Sequence, residues 1–304
     1  MSLTTRSSYL DLFTATKLPA LRALIFERFN QYPSVGESIF NVYSTDRDIE
    51  QTLTMGSVGQ HVETDEGSAV SYTSISQGFD KTYVMLKYML GLKITEEALK
   101  DDERGIIRRL SQTLPRSAYD TKETILANHF NNGFDNTYTG PDGLELFSTV
   151  HVLEDGGTQK NELSTAADLS LTSLEQAMID FRDLRDASNK RLRVVPRHLL
   201  VPKENMFTAK ELLNSTDRPD TAERAINPLK DDNLNLIVWD YLVDTDAFFL
   251  LADKMDHELR LYNREPFQTA EDVDFDLSSL KIKSWMRFDS DWSDYRGLFG
   301  SPGA

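Results

Sequence analysis

The sequence predicts an α+β protein mounted on one long helix, and three observations carry that reading. Between residues 94 and 133 apolar positions return at steps of three and four: Ile94, Ala98, Ile106, Leu110, Leu114, Ala118, Ile125 and His129, with Lys100, Asp101, Arg108, Arg109 and Lys122 between them. Just before it the period is two, as Val84, Leu86, Tyr88, Leu90, Leu92 and Ile94 alternate with Tyr83, Met85, Lys87, Met89, Gly91 and Lys93. After it, helical and strand periods are mixed.

Taken in order, residues 1–45 read as an arm with a short amphipathic helix from Pro19, its face formed by Leu21, Leu24, Ile25 and Phe29, and ended by Pro33 and Gly36. Such a segment buries little alone, so Tyr9, Phe13, Phe26, Phe29, Phe40 and Tyr43 need a surface elsewhere, preferably on a neighbouring chain. A strand at Ile49–Thr54 and the alternating run that ends at Ile94 enclose a polar stretch with a turn at Thr64–Ser68. The result is a two-stranded excursion over 46–93 with almost no core of its own, reading either as an arm across a subunit boundary or as a surface loop.

In the long helix Thr95 is placed to cap, Glu96 and Glu97 sit at the positive end of the dipole, and Gly133 supplies a left-handed stop. Gly105 marks a break after a lead-in helix, and Pro115 predicts a bend between Ser111 and Arg116. From Asp102 to Asn132 the helix would rise about 45 Å, more than a compact domain needs, so it reads as a spine for flanking parts.

A linker with turns at Gly140–Gly143 and Gly156–Gly157 follows. Thr172 and Glu175 form a capping box for a helix whose Leu174, Ala177, Met178, Phe181 and Leu184 face inward. Leu192–Val201 reads as a strand region with Pro196 at an edge or bulge, then come a helix over Lys203–Asn214 and a polar loop over 215–233. Strands are expected at Leu234–Tyr241, Ala247–Ala252, His257–Tyr262 and Ser279–Phe288, before the tail Asp289–Ala304.

The chain has 304 residues, enough for one elaborate domain or two, and 49 acidic against 33 basic residues give a net charge of −16. That balance argues against a nucleic-acid reader and against binding to anionic membranes. Without cysteine there is no disulfide, thiolate metal site or thiol nucleophile. No apolar run approaches a membrane span, and the amino end lacks a secretory signal, so assembly in a cytoplasm is expected.

No phosphate loop, GxGxxG, HExxH or GxSxG is present. His61, His129, His151, His198 and His257 lie far apart in sequence, and His129 on the apolar helix face reads as a hydrogen-bonded buried or half-buried residue rather than a ligand. Asp272, Asp274 and Asp276, and again Asp289, Asp291 and Asp294, read as solvated acidic edges, since the second group fails the calcium-loop template at Asp294 and Gly300. Lys81, Lys87 and Lys93 fit a contact with a neighbouring subunit and a solvated face equally well. No catalytic, cofactor-binding or metal-binding residue is assigned.

Several stretches carry a resemblance: Gly143-Leu144-Glu145-Leu146-Phe147-Ser148-Thr149-Val150-His151 with Gly156-Gly157-Thr158-Gln159-Lys160-Asn161, Arg197-His198-Leu199-Leu200-Val201-Pro202, the ending Asp294–Ala304 and the opening Leu3-Thr4-Thr5-Arg6. With the element order, they resemble the major capsid proteins of tailed bacteriophages, in the Mu-like branch of head subunits. The resemblance implies the Hong Kong 97-type fold: amino arm 1–45, extended loop 46–93, peripheral domain with spine helix 94–164, axial domain 165–244, and a return to the peripheral domain with the tail over 245–304.

It further implies a non-enzymatic virion protein without cofactor. Such subunits assemble as hexamers and pentamers into an icosahedral head around double-stranded DNA, in the host cytoplasm, with separate scaffolding, portal and decoration proteins as partners. The sequence shows no long charged, helical leader, so either a separate scaffolding protein or prior removal of a leader is expected. The resemblance places the loop near Glu63–Ser71 on an adjacent subunit and predicts that a chain lacking residues 1–40 stays soluble but forms no stable shells. An encapsulin-type shell is the nearest rival, and a hydrolase using Asp289 and Asp291 a remote one.

Overall fold

The computed structural model describes residues 29, 31–56, 61, 63–67, 69, 70, 72, 77–95, 97, 98, 113–153, 156–216, 226–274 and 279–304. In chain order they form helix α1 (Val35–Ile39) and strands β1 (Asn41–Ser44), β2 (Ile49–Met55), β3 (Gln77–Val84) and β4 (Leu86–Thr95). Helix α2 (Thr113–Asn131), the short pair β5 (His151–Val152) and β6 (Thr158–Gln159), helix α3 (Leu171–Arg182), strand β7 (His198–Val201) and helix α4 (Met206–Asn214) follow. The chain closes with β8 (Asn235–Val238), β9 (Phe248–Leu251), β10 (Leu259–Asp274), β11 (Ser279–Trp292) and β12 (Leu298–Ser301).

Among the described residues, two four-stranded sheets, ordered β1-β10-β11-β4 and β12-β9-β7-β8, and two separate pairs, β2-β3 and β5-β6, make up the β structure. The long pair β10-β11 is antiparallel, with register shifts at Asn263/Glu265 and Glu265/Gln268. Pro266 lies inside that irregularity, where the missing N–H breaks no ladder bond. The strand expected at His257–Tyr262 runs from Leu259 on to Asp274, the bulge absorbing Pro266.

The second sheet divides two cores. Phe249 and Leu251 of β9 and Leu200 of β7 join Leu126, Ala127 and Phe130 of α2 in one core, while Phe248, Leu250, Leu199 and Val201 join Leu174, Ala177 and Phe181 of α3 in the other. A strand buried on both faces has no polar face, hence the unbroken apolar run Phe248-Phe249-Leu250-Leu251.

Helix α2 departs from its expectation in three ways. Its fully buried stripe is Leu126, Ala127 and Phe130, one step round from the expected Ile125 and His129, which are half-buried. Gly133 is not in the left-handed region. It is needed for close approach instead, because a Cβ there would stand 2.7 Å from the Phe147 ring. Pro115 is the third residue of the described helix, and the bend expected from Ser111, together with Gly105 and the Thr95 cap's helix, lies largely in residues outside the described ones. The amino-arm helix from Pro19 also lies outside them, apart from Phe29, which stacks on Phe267 with ring centroids 4.4 Å apart.

Other local expectations shift. Gly36 does not stop a helix but sits in the first turn of α1, capped by Ser34, with Leu126 so close that a Cβ would meet it at 2.4 Å. Helix α3 is capped by Ser170 with Ser173 in a reciprocal box, not by Thr172 and Glu175, while its predicted inward residues are buried as expected. The alternating run from Tyr83 to Ile94 is two strands, because the chain changes partner at Met85 from β2 to β11.

Candidate assembly surfaces

The hairpin β2-β3 has no core of its own, so its direction depends on its base. There the backbone N–H of Val84 donates to Asp289 Oδ2 at 2.8 Å, and Lys81 pairs with Asp291 while lying 5.4 Å from the Trp292 ring centroid. Tyr83 is fully buried, its hydroxyl 2.7 Å from Ser293 Oγ, which also lies 2.9 Å from Thr52 Oγ1. Burial raises the Tyr83 phenol pKa far above its ordinary value, and burial also raises Asp289 against the opposing N–H donors of Val84 and Ser290.

Asp289 and Asp291 are therefore not a solvated edge, and they are not free to act as paired catalytic carboxylates; they fasten the hairpin. Asp294 is likewise engaged, with Arg296 at 2.8 Å, and Arg296 Nε donates to the Arg185 carbonyl at 2.8 Å. Of the other cluster, Asp274 pairs with Lys281 at 2.7 Å at the end of β10-β11, and Asp276 lies outside the described residues. Lys81 is turned inward, whereas Lys87 and Lys93 stay exposed. Beyond its fastened base the excursion exposes Leu53, Val70 and Tyr72, the last 95% accessible, so these apolar groups find little cover among the described residues.

A second junction joins the arm to the core beneath α2. Glu123, on the buried face of α2 and 0% exposed, accepts from the Ser34 hydroxyl, from Gly36 N–H at 3.2 Å and from Trp239 Nε1–H at 2.8 Å. Beside it Lys122 pairs with Glu37, and Tyr241 donates to Asp120 at 2.6 Å. One helix face thus holds α1 on one side and the segment after β8 on the other. Sequence reasoning missed this because the partners of Glu123 are 89, 87 and 116 residues away.

The third junction gathers two of the stretches that carried the resemblance, the linker and the tail, while the opening Leu3–Arg6 lies outside the described residues. Asn161, fully buried, takes Ser148 N–H on Oδ1 at 2.8 Å, donates from Nδ2 to Leu146 O at 2.8 Å, and accepts Gly300 N–H on its own carbonyl at 3.0 Å. His151 Nδ1 lies 2.6 Å from Asp142 Oδ2, and its ring stacks on Tyr295 at 3.6 Å. Gln159 donates to the Tyr295 hydroxyl at 2.7 Å and accepts Arg185 N–H at 2.8 Å. Linker and tail, far apart in sequence, are one hydrogen-bonded knot packed through Phe147 on Phe130, Phe134 and Phe249.

The histidines are dispersed. Half-buried His129 sets its Nε2 2.9 Å from Ser290 Oγ between Phe40 and Trp292, as expected of a buried or half-buried hydrogen-bonded residue. Burial lowers the pKa of His129, His198 and His257. Among the described residues no three His, Asp or Glu side chains converge as a metal site.

Comparison with solved structures finds the same arrangement in capsid shells. The capsid protein of the cyanophage P-SCSP1u superimposes with a TM-score of 0.62 at 10% identity over 90% of this chain and 88% of that one. The mature capsid of bacteriophage PhiM1 gives 0.59 at 11% identity over 89% and 87%. A virus-like particle from Pyrococcus furiosus gives 0.54 at 10% identity over 94% and 99%. No curated protein matches the sequence. The fold is the Hong Kong 97-type capsid fold. A family model described as phage capsid protein matches residues 79–300, most of the chain from the second hairpin strand to the tail. The chain belongs to the phage capsid protein family, whose members are structural shell subunits and not enzymes.

Proposed function

We propose that this chain is the major head subunit of a tailed phage, assembling as hexamers and pentamers into an icosahedral shell that encloses double-stranded DNA. One observation carries the reading: a hairpin fastened at its base by Asp289, Asp291 and Ser293 leaves Leu53, Val70 and Tyr72 uncovered. A surface of that kind is covered when the hairpin lies on an adjacent subunit, with Glu63–Ser71 as the crossing part. The amino arm 1–45 and the loop 46–93 are then the intermolecular pieces, and 94–164, 165–244 and 245–304 are the peripheral domain, the axial domain and the return with the tail. A net charge of −16 suits a container that holds DNA without gripping many phosphates. Scaffolding, portal and decoration proteins are the further partners, and assembly takes place in the host cytoplasm.

Electron microscopy of the purified protein tests this, with nuclease-protected DNA measured in particles made during infection. Uniform closed shells and protected duplex DNA are the expected result. Particles that protect protein cargo and no DNA would favour the encapsulin-type alternative, and a monomer under all assembly conditions would refute the shell.

A further inference from the structure

His151 of β5 is fully buried, and each of its ring nitrogens meets one oxygen: Nδ1 lies 2.6 Å from Asp142 Oδ2, and Nε2 lies 3.1 Å from Asn161 Oδ1. The protons of this cluster are fixed from the backbone outward. Asn161 Oδ1 accepts Ser148 N–H at 2.8 Å, while its Nδ2 donates to the Leu146 carbonyl at 2.8 Å. Rotating that amide would set N–H against N–H and oxygen against oxygen, so Oδ1 is the atom that faces the imidazole. Nε2 therefore carries a proton. An approach of 2.6 Å between Nδ1 and a carboxylate oxygen needs a second one, because a bare nitrogen there would set lone pair against lone pair.

We infer that linker and tail are latched by this second proton, shared between His151 Nδ1 and Asp142 Oδ2, and that its loss in mildly alkaline solution frees Asp142 and opens the knot. The latch is built into a single chain and stands apart from the shell reading. Among the described residues, the titratable and charged groups facing the imidazole are Asp142 from the linker and Tyr295, Asp294 and Arg296 from the tail, while the β6 side brings the neutral Gln159 and Asn161. Arg296 is paired with Asp294 at 2.8 Å and burial pushes the Tyr295 phenol up to about 12, so neither answers a mild rise in pH. The side chain of Asp142 is only 7% exposed, so water does not replace the lost proton while the knot is shut. Two buried acceptors left facing one another without a donor favour opening. Asp142 also has an exit, since it lines a cavity of about 310 Å³ shared with Leu153, Arg296 and the hairpin residues Thr54, Gly78 and Phe79. Moving the carboxylate into that space turns it toward the hairpin base.

Hydrogen exchange of the unassembled full-length subunit, followed by mass spectrometry and corrected for the intrinsic pH dependence of exchange, tests the latch. The closed knot holds one proton more than the opened one, so raising the pH favours opening. Protection of the knot amides of Ser148, Asn161, Arg185 and Gly300 should fall about tenfold per pH unit from about pH 7 toward about pH 9, the slope of one released proton. Asp142→Asn offers Nδ1 an amide N–H in place of the shared proton, so it should keep wild-type protection near pH 7 and lose the slope. Nitrogen NMR of histidine-labelled subunit near pH 7 should show a proton on Nε2 of His151, the signal being assigned by its absence from His151→Gln and its shift in Asp142→Asn. A flat profile in the wild type, a slope that persists in Asp142→Asn, protection already lost near pH 7 in that variant, or a bare Nε2 would each overturn the inference. Shell formation enters none of these readouts, so a chain that forms no shells would refute the proposed function and leave the latch standing.

Discussion

Replacing Glu123 probes how the arm, the spine and the second sheet are held together. Glu123→Leu keeps the volume and removes the acceptor, leaving Trp239 Nε1–H and Gly36 N–H without their partner inside the core. A buried donor stripped of its acceptor costs about 1–3 kcal/mol, so the variant should lose roughly 2–5 kcal/mol. Glu123→Gln keeps one oxygen for those two N–H groups and turns its amide toward the Ser34 hydroxyl, which accepts Glu37 N–H at 2.9 Å and has a second lone pair. It loses charge assistance alone, about 1 kcal/mol. Urea denaturation of the unassembled subunit, followed by tryptophan emission, reads both. At a slope near 3 kcal/mol/M a loss of about 3 kcal/mol lowers the midpoint by about 1 M. A Leu variant within about 0.5 kcal/mol of wild type, or a Gln variant as damaged as the Leu one, would refute the reasoning that the junction works through its acceptor.

Two further outcomes are expected. His257 is 3% exposed and burial, aided by His198 and Lys254, pushes its pKa down to about 4. The unfolded chain therefore binds the extra proton first, and stability complete above about pH 6.5 falls as pH drops toward about 4, by roughly 3 kcal/mol at 1.36 kcal/mol per pH unit. His257→Gln should flatten that part of a stability-against-pH curve, and an unchanged slope would count against it. Deleting residues 1–28 should leave a folded subunit that fails to form stable shells by sedimentation, and normal particles would refute the role of the arm. The cut has to stop there because a deletion to residue 40 would also remove Ser34 and Gly36 from Glu123 and Ile39 and Phe40 from the core.

Periodicity reads which face of an element is buried and is silent about its partner, and the departures follow from that. The alternation from Tyr83 to Ile94 continues through Met85 without losing parity, yet the chain there leaves β2 for β11. Nothing in a two-residue repeat records such an exchange, although it creates the boundary between a projecting hairpin and a sheet edge. At the start of α3, Ser170, Thr172 and Ser173 all have capping chemistry, and the choice of Ser170 is made by Leu171 being buried as the first helical residue. The glycines mislead in the same direction: Gly36 and Gly133 look like helix stops, and both are there because Leu126 and the Phe147 ring leave no room for a Cβ.

Charged residues are where the sequence is least readable, since their role depends on what the fold sets opposite them. Asp289 and Asp291 lie in the same alternating run as Lys281 and Lys283, all on the face of β11 away from α2. At one end of the strand the hairpin base covers that face, so Lys81 and Val84 N–H engage the carboxylates. Toward the other end Lys281 stands opposite Asp272 and pairs with Asp274, while Lys283, and Lys93 and Lys87 on β4, have no ion-pair partner among the described residues. The same strand face is thus an intramolecular clamp where carboxylates meet a lysine and a backbone donor, and a surface of mixed charge where Lys281 and Arg287 meet Asp274 and Glu265.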